Sequence, residues 1–543
     1  MAKKKSKKSD MHSKQQSPVL HWLNSRQAEW ILVGIIILVA VILRVQNIDS
    51  KVMWLDELTE MYMTNAIIYK DLDHYIPRNT LITEPVNLTP IEKAQSIPRF
   101  VKEMAEIDSH PPFYYILFYI CRAIFGDSPV SLRLLSFIPA IISVLLLYLI
   151  GKELYGKISG LGAALIMTLS TPHIVYSHEV RHYSFLIFLG LLALFVYLRI
   201  IRSKPNWKLC GVFSILIFLL MVTHYFSFGY IFALGLYSLI KLRGRLLVSI
   251  LASFVVSVIL FLLFWGYPFY LQFFSGSKKA IEALNYRLAP EIAMRSLPAF
   301  INTLPERYFL HLPFDYTITR PAFFILLCLL PCVAILWRRD LLLPWLLFIC
   351  TAFFVVGLDL ARGTFHSINI RYTLLAAPAI YMIVAAGIFT GPRKTFLNSI
   401  GTIIVVSVLL YNLPTAFEEY RDNWFELSQK LDHNGSSSSP VVLVNPGGPD
   451  FEYWSNFIWY TLCYYSYRRD RSVAVIDKPL VSKCIEQIGY DKSIFLITKI
   501  PEFPKSVDRE WPLFWIPNCT IENAWLLPNR VTVWKVRNQP KEL

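Results

Sequence analysis

The chain is 543 residues long, 55% hydrophobic, 15% aromatic and only 17% charged, which is more apolar than a soluble globular domain carries. Apolar runs of about twenty residues recur along most of it, so the composition indicates an α-helical polytopic membrane protein. The formal net charge of +15 does not point to nucleic acid, because Lys and Arg fall in short clusters between apolar runs, as they do in cytoplasmic loops of membrane proteins.

Residues 1–29 begin Met1-Ala2-Lys3-Lys4-Lys5 and contain no apolar core, so they read as a basic cytoplasmic tail rather than a signal peptide. Trp30 to Val45 forms the first span, leading from the basic side outward, and Met53-Trp54-Leu55-Asp56-Glu57 follows it almost at once. The outer loop 46–130 ends in His110-Pro111-Pro112-Phe113-Tyr114-Tyr115 and an apolar stretch to Phe125 that carries Arg122. That stretch is too short to cross, and residues 111–126 are expected to lie at the outer interface.

The next span, 131–150, opens with Arg133, and the basic loop Lys152 to Lys157 returns to the inside. Further spans are expected at 158–176, 182–201, 208–224, 226–241, 246–267, 321–337, 341–358, 371–391 and 396–415, about eleven in all. This threading puts Arg199 to Lys208, Lys241 to Arg245, Trp337-Arg338-Arg339 and Arg393-Lys394 on the same inner side. The transmembrane domain therefore covers 30–415, and residues 416–543 form an extracytoplasmic tail. Within that tail, β-prone runs such as Val441-Val442-Leu443-Val444 alternate with turn residues, which predicts a small α/β domain. Its Tyr453, Trp454, Trp459 and Tyr460 are candidates for stacking on a sugar, or for core and interface packing.

Polar groups collect at the outer ends of the spans. Asp56 and Glu57 follow the first, His110 precedes the interfacial helix, and Arg133 opens the second. Glu179, Arg181 and Tyr183 sit between the third and fourth, His224-Tyr225 ends the fifth, and Arg371-Tyr372 opens the tenth. Ionisable groups gathered on one rim of a membrane protein pair with each other or handle a polar ligand. On a regular helix Glu179 would share a face with Tyr183 and not with Arg181. Arg371-Tyr372 also reads as an interface anchor, His224 as a structural imidazole, and His110-Pro111-Pro112 as a helix start.

These motifs together resemble the bacterial protein O-mannosyltransferase-like glycosyltransferases of the membrane-embedded GT-C superfamily, which also contains the aminoarabinose transferase acting on lipid A. The matching elements are the Asp-Glu pair, His-Pro-Pro-Phe-Tyr-Tyr, the Arg-Leu start of the second span, Glu-x-Arg-x-Tyr, Thr-His-Tyr, and Arg-Tyr before Ala-Pro, covering about residues 30 to 415. The resemblance implies a GT-C fold, a polyprenyl-phosphate sugar donor, inverting transfer on the extracytoplasmic side of the plasma membrane, and Asp56 as catalytic carboxylate. The acceptor (lipid, glycan or protein) stays open, since neither sugar-binding trefoil repeats nor a Trp-Trp-Asp signature is present.

The residues suit such chemistry. A carboxylate, Asp56 with Glu57 beside it, takes the proton of an attacking hydroxyl, while Arg133, Arg181 and Arg371 offer planar forks to the departing phosphate. His110, Glu179, Tyr183, His224, Tyr225 and Tyr372 complete the expected donor and substrate contacts. A divalent metal bridging carboxylate and phosphate is compatible with Asp56, Glu57 and His110, but no spacing forms a ligand pattern, and the eight scattered cysteines give none either. Two readings from other classes are a lipid or polysaccharide flippase, which would place its ionisable groups nearer the bilayer midplane, and a non-catalytic subunit of envelope-glycan assembly.

Overall fold

The computed structural model describes residues 25–49, 51, 53–65, 79, 81, 96–107, 110–203, 206–275, 296–304, 308–309, 341–362, 366–389, 395–417, 430–431, 433–434, 439–445, 473–477, 480–488, 493–499, 519–526 and 531–538. The span expected at 321–337, most of the basic tail and the aromatics Tyr453, Trp454, Trp459 and Tyr460 lie outside them.

The protein is mostly helical and crosses the membrane several times. Among the described residues, seven helical segments are long and apolar enough to span, in chain order Arg26–Val45, Pro129–Tyr155, Tyr183–Arg202, Gly244–Phe273, Leu342–Arg362, Ile370–Ile388 and Ser399–Phe417. The expected spans at 208–224 and 226–241 fall on Trp207–Met221 and Ser227–Lys241, each 15 residues. At 1.5 Å per residue such helices are about 22 Å long, short of the roughly 30 Å hydrocarbon layer. Phe113–Phe125, with 13 residues, is shorter still.

The expected continuous span 158–176 is a correction: it is two helices, Lys157–Leu169 and Thr171–Ser177, meeting at 60°. Pro172 stands in the first turn of the second helix and biases the residue before it against the α conformation, and Ser170 is already extended at φ −65°, ψ 116°. The carbonyls left open at the break are taken by the buried Arg44, which donates to Met167 O (3.1 Å) and Thr168 O (3.2 Å).

Close packing between helices relies on small residues. Gly151 faces Gly160 where Pro129–Tyr155 doubles back on Lys157–Leu169 through Gly156, whose φ of +94° suits glycine. The lipid-facing side is apolar: Gly244–Phe273 is only 22% buried, and Val248, Val255, Leu262 and Leu263 project outward from it.

The C-terminal region carries a five-stranded mixed sheet of order β2-β1-β3-β5-β4, made of β1 (Val441–Asn445), β2 (Val473–Asp477), β3 (Ser493–Lys499), β4 (Cys519–Leu526) and β5 (Val531–Asn538). β1 runs parallel to β2 and β3, while β5 is antiparallel to β3 and β4. Alternation divides each strand between two layers. Val442, Val444, Ile494, Leu496 and Val536 pack with the helix Val481–Ile488, whereas Val441, Leu443, Phe495, Ile497 and Val533 join the hydrophobic cluster of the membrane helices. Lys51, just beyond the first span, donates to Ala416 O (3.1 Å) at the end of the last, so the site's side and the start of the tail share one end of the bundle.

Candidate active site

The site is built around the helix Leu55–Thr64. Its carboxylates point to different neighbours because successive residues turn by about 100°. Asp56 is hydrogen-bonded to Arg371 and lies 3.9 Å from Arg181 Nε. Glu60, one helical turn on and on the same face, bonds Arg181 at 2.5 Å and is fully buried. Two acidic groups and two guanidiniums thus interlock across three segments.

Glu57 faces the other way. Its carboxylate accepts the Trp54 amide at 3.2 Å, closing the helix N-terminus, the Val180 amide at 2.8 Å, and Arg133 at 3.4 Å. Arg133 also donates to Ile48 O (2.6 Å) and Lys51 O (2.9 Å). Both side chains are 1% exposed. Arg133 is thus buried among protein partners, and Glu57 fastens the 178–182 segment to the helix that carries Asp56. From the sequence both residues are expected to face the substrate, whereas their hydrogen bonds here run to protein groups. Burial pushes the Glu57 carboxyl upward, against the pull of Arg133.

The motif Glu179 to Tyr183 is a bend between helices, so helical-face reasoning does not apply to it. Glu179 is buried there, and Arg181 turns toward Asp56 and Glu60, which outweigh the opposing effect of burial and hold its guanidinium above the ordinary value. Tyr183 continues toward the cavity, whose lining includes Tyr183, His224, Phe226, Arg371 and Tyr372. Arg371 is set by Asn369, whose side chain accepts its amide at 3.4 Å, and it lies over the rings of Trp54 and Tyr372 at 5.6 and 5.0 Å.

His110 and His224 do come together, with ring centroids 5.4 Å apart. His182, absent from the expected set, lies between them at 5.4 and 4.5 Å. Burial, followed by neighbouring histidine and arginine charges, pushes His182 and His224 well below the usual imidazole range. Tyr225 departs from expectation. Its hydroxyl bonds Gln272 and accepts from Trp265 Nε1 at 2.9 Å, which turns it toward the helix Gly244–Tyr270 and away from the cavity. Sequence reasoning missed Glu60, which its i+4 relation to Asp56 could have revealed, and His182, which stands inside a motif already singled out.

Residues 109–267 match the family model described as dolichyl-phosphate-mannose-protein mannosyltransferase. The matched region holds His110, Arg133, Arg181, Tyr183 and His224, and excludes Asp56 and Arg371. Solved structures similar to the chain include ArnT from Cupriavidus metallidurans bound to undecaprenyl phosphate, at 11% identity and TM-score 0.48, covering 94% of this chain and 98% of that one. Another is the apo oligosaccharyltransferase of Archaeoglobus fulgidus, at 12% identity and TM-score 0.47, covering 88% of this chain and 70% of that one. No curated protein matches the sequence. The chain is thus similar to membrane glycosyltransferases of the protein O-mannosyltransferase-like kind, in its motifs and in the matched region.

Proposed function

We propose that the protein transfers a sugar from a polyprenyl-phosphate donor to an extracytoplasmic acceptor with inversion at the anomeric carbon. The observation that carries this reading is Asp56 held between Arg371 and Arg181 at the edge of a cavity lined by Tyr183, His224 and Tyr372. A carboxylate gripped by two guanidiniums occupies the place a phosphate would take. The donor phosphate competes for the same forks, each of which binds two oxygens, and its arrival displaces Asp56.

The freed carboxylate then accepts the proton of the attacking hydroxyl. The hydroxyl oxygen forms the new bond to the anomeric carbon as the bond to the phosphate oxygen breaks, and the phosphate leaves with the electron pair toward Arg181 and Arg371. Glu60 keeps Arg181 aimed, and Tyr183, His224 and Tyr372 offer further polar contacts. The side of the membrane, the phosphate-linked donor and the inverting course are parts of this proposal.

The experiment is transfer and donor binding measured on the same purified protein. Asp56→Asn is expected to lose about a hundredfold or more in transfer, the usual cost of removing a general base, while binding donor at least as tightly as the wild type, since the competing charge is gone. Arg371→Lys and Arg181→Lys are expected to weaken donor binding, and alanine to weaken it further. Unchanged donor affinity in both alanine variants would move the phosphate site elsewhere.

A further inference from the structure

Three imidazoles from three separate segments meet beside the cavity. His110 comes from the loop before Phe113–Phe125, His182 from the bend before Tyr183–Arg202, and His224 from the turn before Ser227–Lys241. One ring nitrogen of each lies within 4.8 Å of those of the other two. His182 is fully buried, and neither of its ring nitrogens has a hydrogen-bond partner among the described residues. His224 Nε2, also buried, has none among them either. A buried polar group gives up its bonds to water and is normally compensated, so the unpartnered nitrogens of His182 and His224, in rings grouped with His110, call for a ligand.

We propose that His110, His182 and His224 bind a divalent transition-metal ion of the Zn2+ class. Neutral imidazole is a preferred donor for Zn2+, Co2+ and Ni2+, whereas Mg2+ and Ca2+ require oxygen ligands. Placing an ion about 2.0–2.1 Å from each nitrogen requires the rings to close by small side-chain rotations. Three protein ligands leave a fourth position for water or an oxygen anion. His110 is half-buried and provides access from the surface.

One cost is visible. His224 Nδ1 accepts the Phe226 amide at 3.1 Å, which places the ring proton on Nε2 in the ion-free protein. Binding an ion at Nε2 moves that proton to Nδ1 and gives up the amide bond. This ion is not the carboxylate-bridged one that the sequence allows with Asp56, Glu57 and His110, because Glu57 is bound to Arg133 and Val180 and Asp56 to Arg371. The site stands on ring geometry and does not rest on the transferase reading.

The test uses the full-length chain in detergent, without a histidine tag, stripped with chelator and titrated with Zn2+ or Co2+. Binding of a single ion per chain, visible Co2+ absorption typical of a low-coordinate site, a rise in melting midpoint with Zn2+, and no competition by Mg2+ are expected. His110→Ala and His182→Ala are both expected to abolish the absorption and the shift. His366→Ala, outside the trio, and Arg371→Ala, which lacks the proposed phosphate grip, are expected to retain them. If His182→Ala does not fold, His110→Ala decides. Metal binding at wild-type strength in His110→Ala, or none in folded wild-type protein, overturns the proposal.

Discussion

Asp56 and Glu57 show how much a single step along a helix decides. Asp56 touches Arg371 at the cavity edge, while Glu57 is enclosed with Arg133 and the Val180 amide. Removing one member of such a buried pair leaves the other charge uncompensated, which typically costs about 3–5 kcal/mol. Glu57→Gln is therefore expected to lower the melting midpoint of the purified protein clearly and to impair transfer only through that loss. A variant as stable as the wild type but inactive would return Glu57 to the chemistry. Arg122 carries a similar lesson. It looked out of place in an apolar stretch, yet it is buried in protein and donates to Thr64 Oγ1 (2.6 Å), Asn65 Oδ1 (3.0 Å) and Met61 O (3.3 Å), anchoring the far end of the helix that carries Asp56. The residue types that mark the site were legible in the sequence. Which of them face the cavity was not, because Arg133, Tyr225 and Glu57 take partners from segments distant in the chain.

At the scale of elements, the broken helix pair 157–169 and 171–177 sets the bend that presents Arg181. Hydropathy shows an unbroken apolar run there, and the break is visible in sequence only as Pro172. Arg44 holds it by donating to Met167 O and Thr168 O and by lying 2.7 Å from His173 Nδ1. Arg44→Met leaves these acceptors without their donor, at about 1–3 kcal/mol for each group stranded in the interior. Lower stability together with weaker donor binding is expected, although Arg44 does not line the cavity. Unchanged values of both would show that the bend holds itself. Gly229 tests a second contact. A Cβ there would stand 2.6 Å from Cys350 O and 2.7 Å from Phe354 Cβ, so Gly229→Ala must part Ser227–Lys241 from Leu342–Arg362. Overpacking of this kind costs about 1–3 kcal/mol, readable as an earlier thermal transition.

For the whole molecule, the order of the long apolar helices among the described residues follows from hydropathy, while the break after Leu169 and the sheet's attachment to the bundle do not. Strand alternation announces two faces, but only the fold shows that Val441, Leu443, Phe495, Ile497 and Val533 pack into the cluster of the membrane helices and that Leu81 of the first long loop packs on the other side. Together with the Lys51 to Ala416 bond, this ties the tail to the end of the bundle that carries Asp56. On the threading proposed from the basic loops, the opposite end faces the cytoplasm. One labelling experiment checks both ends. Gln487→Cys, on an exposed turn of the tail helix, and Trp207→Cys, 80% exposed at the start of its helix, are placed singly in a background without other cysteines. An impermeant thiol reagent applied from outside is expected to label position 487 and not 207, and from the cytoplasmic side the reverse. Labelling of position 487 only from the cytoplasm would invert the threading and move the arginine-gripped carboxylate to the wrong face for a donor delivered outside. Labelling of both from one side would require an odd number of crossings fewer or more between them, and Phe113–Phe125, which precedes both positions, could not supply it.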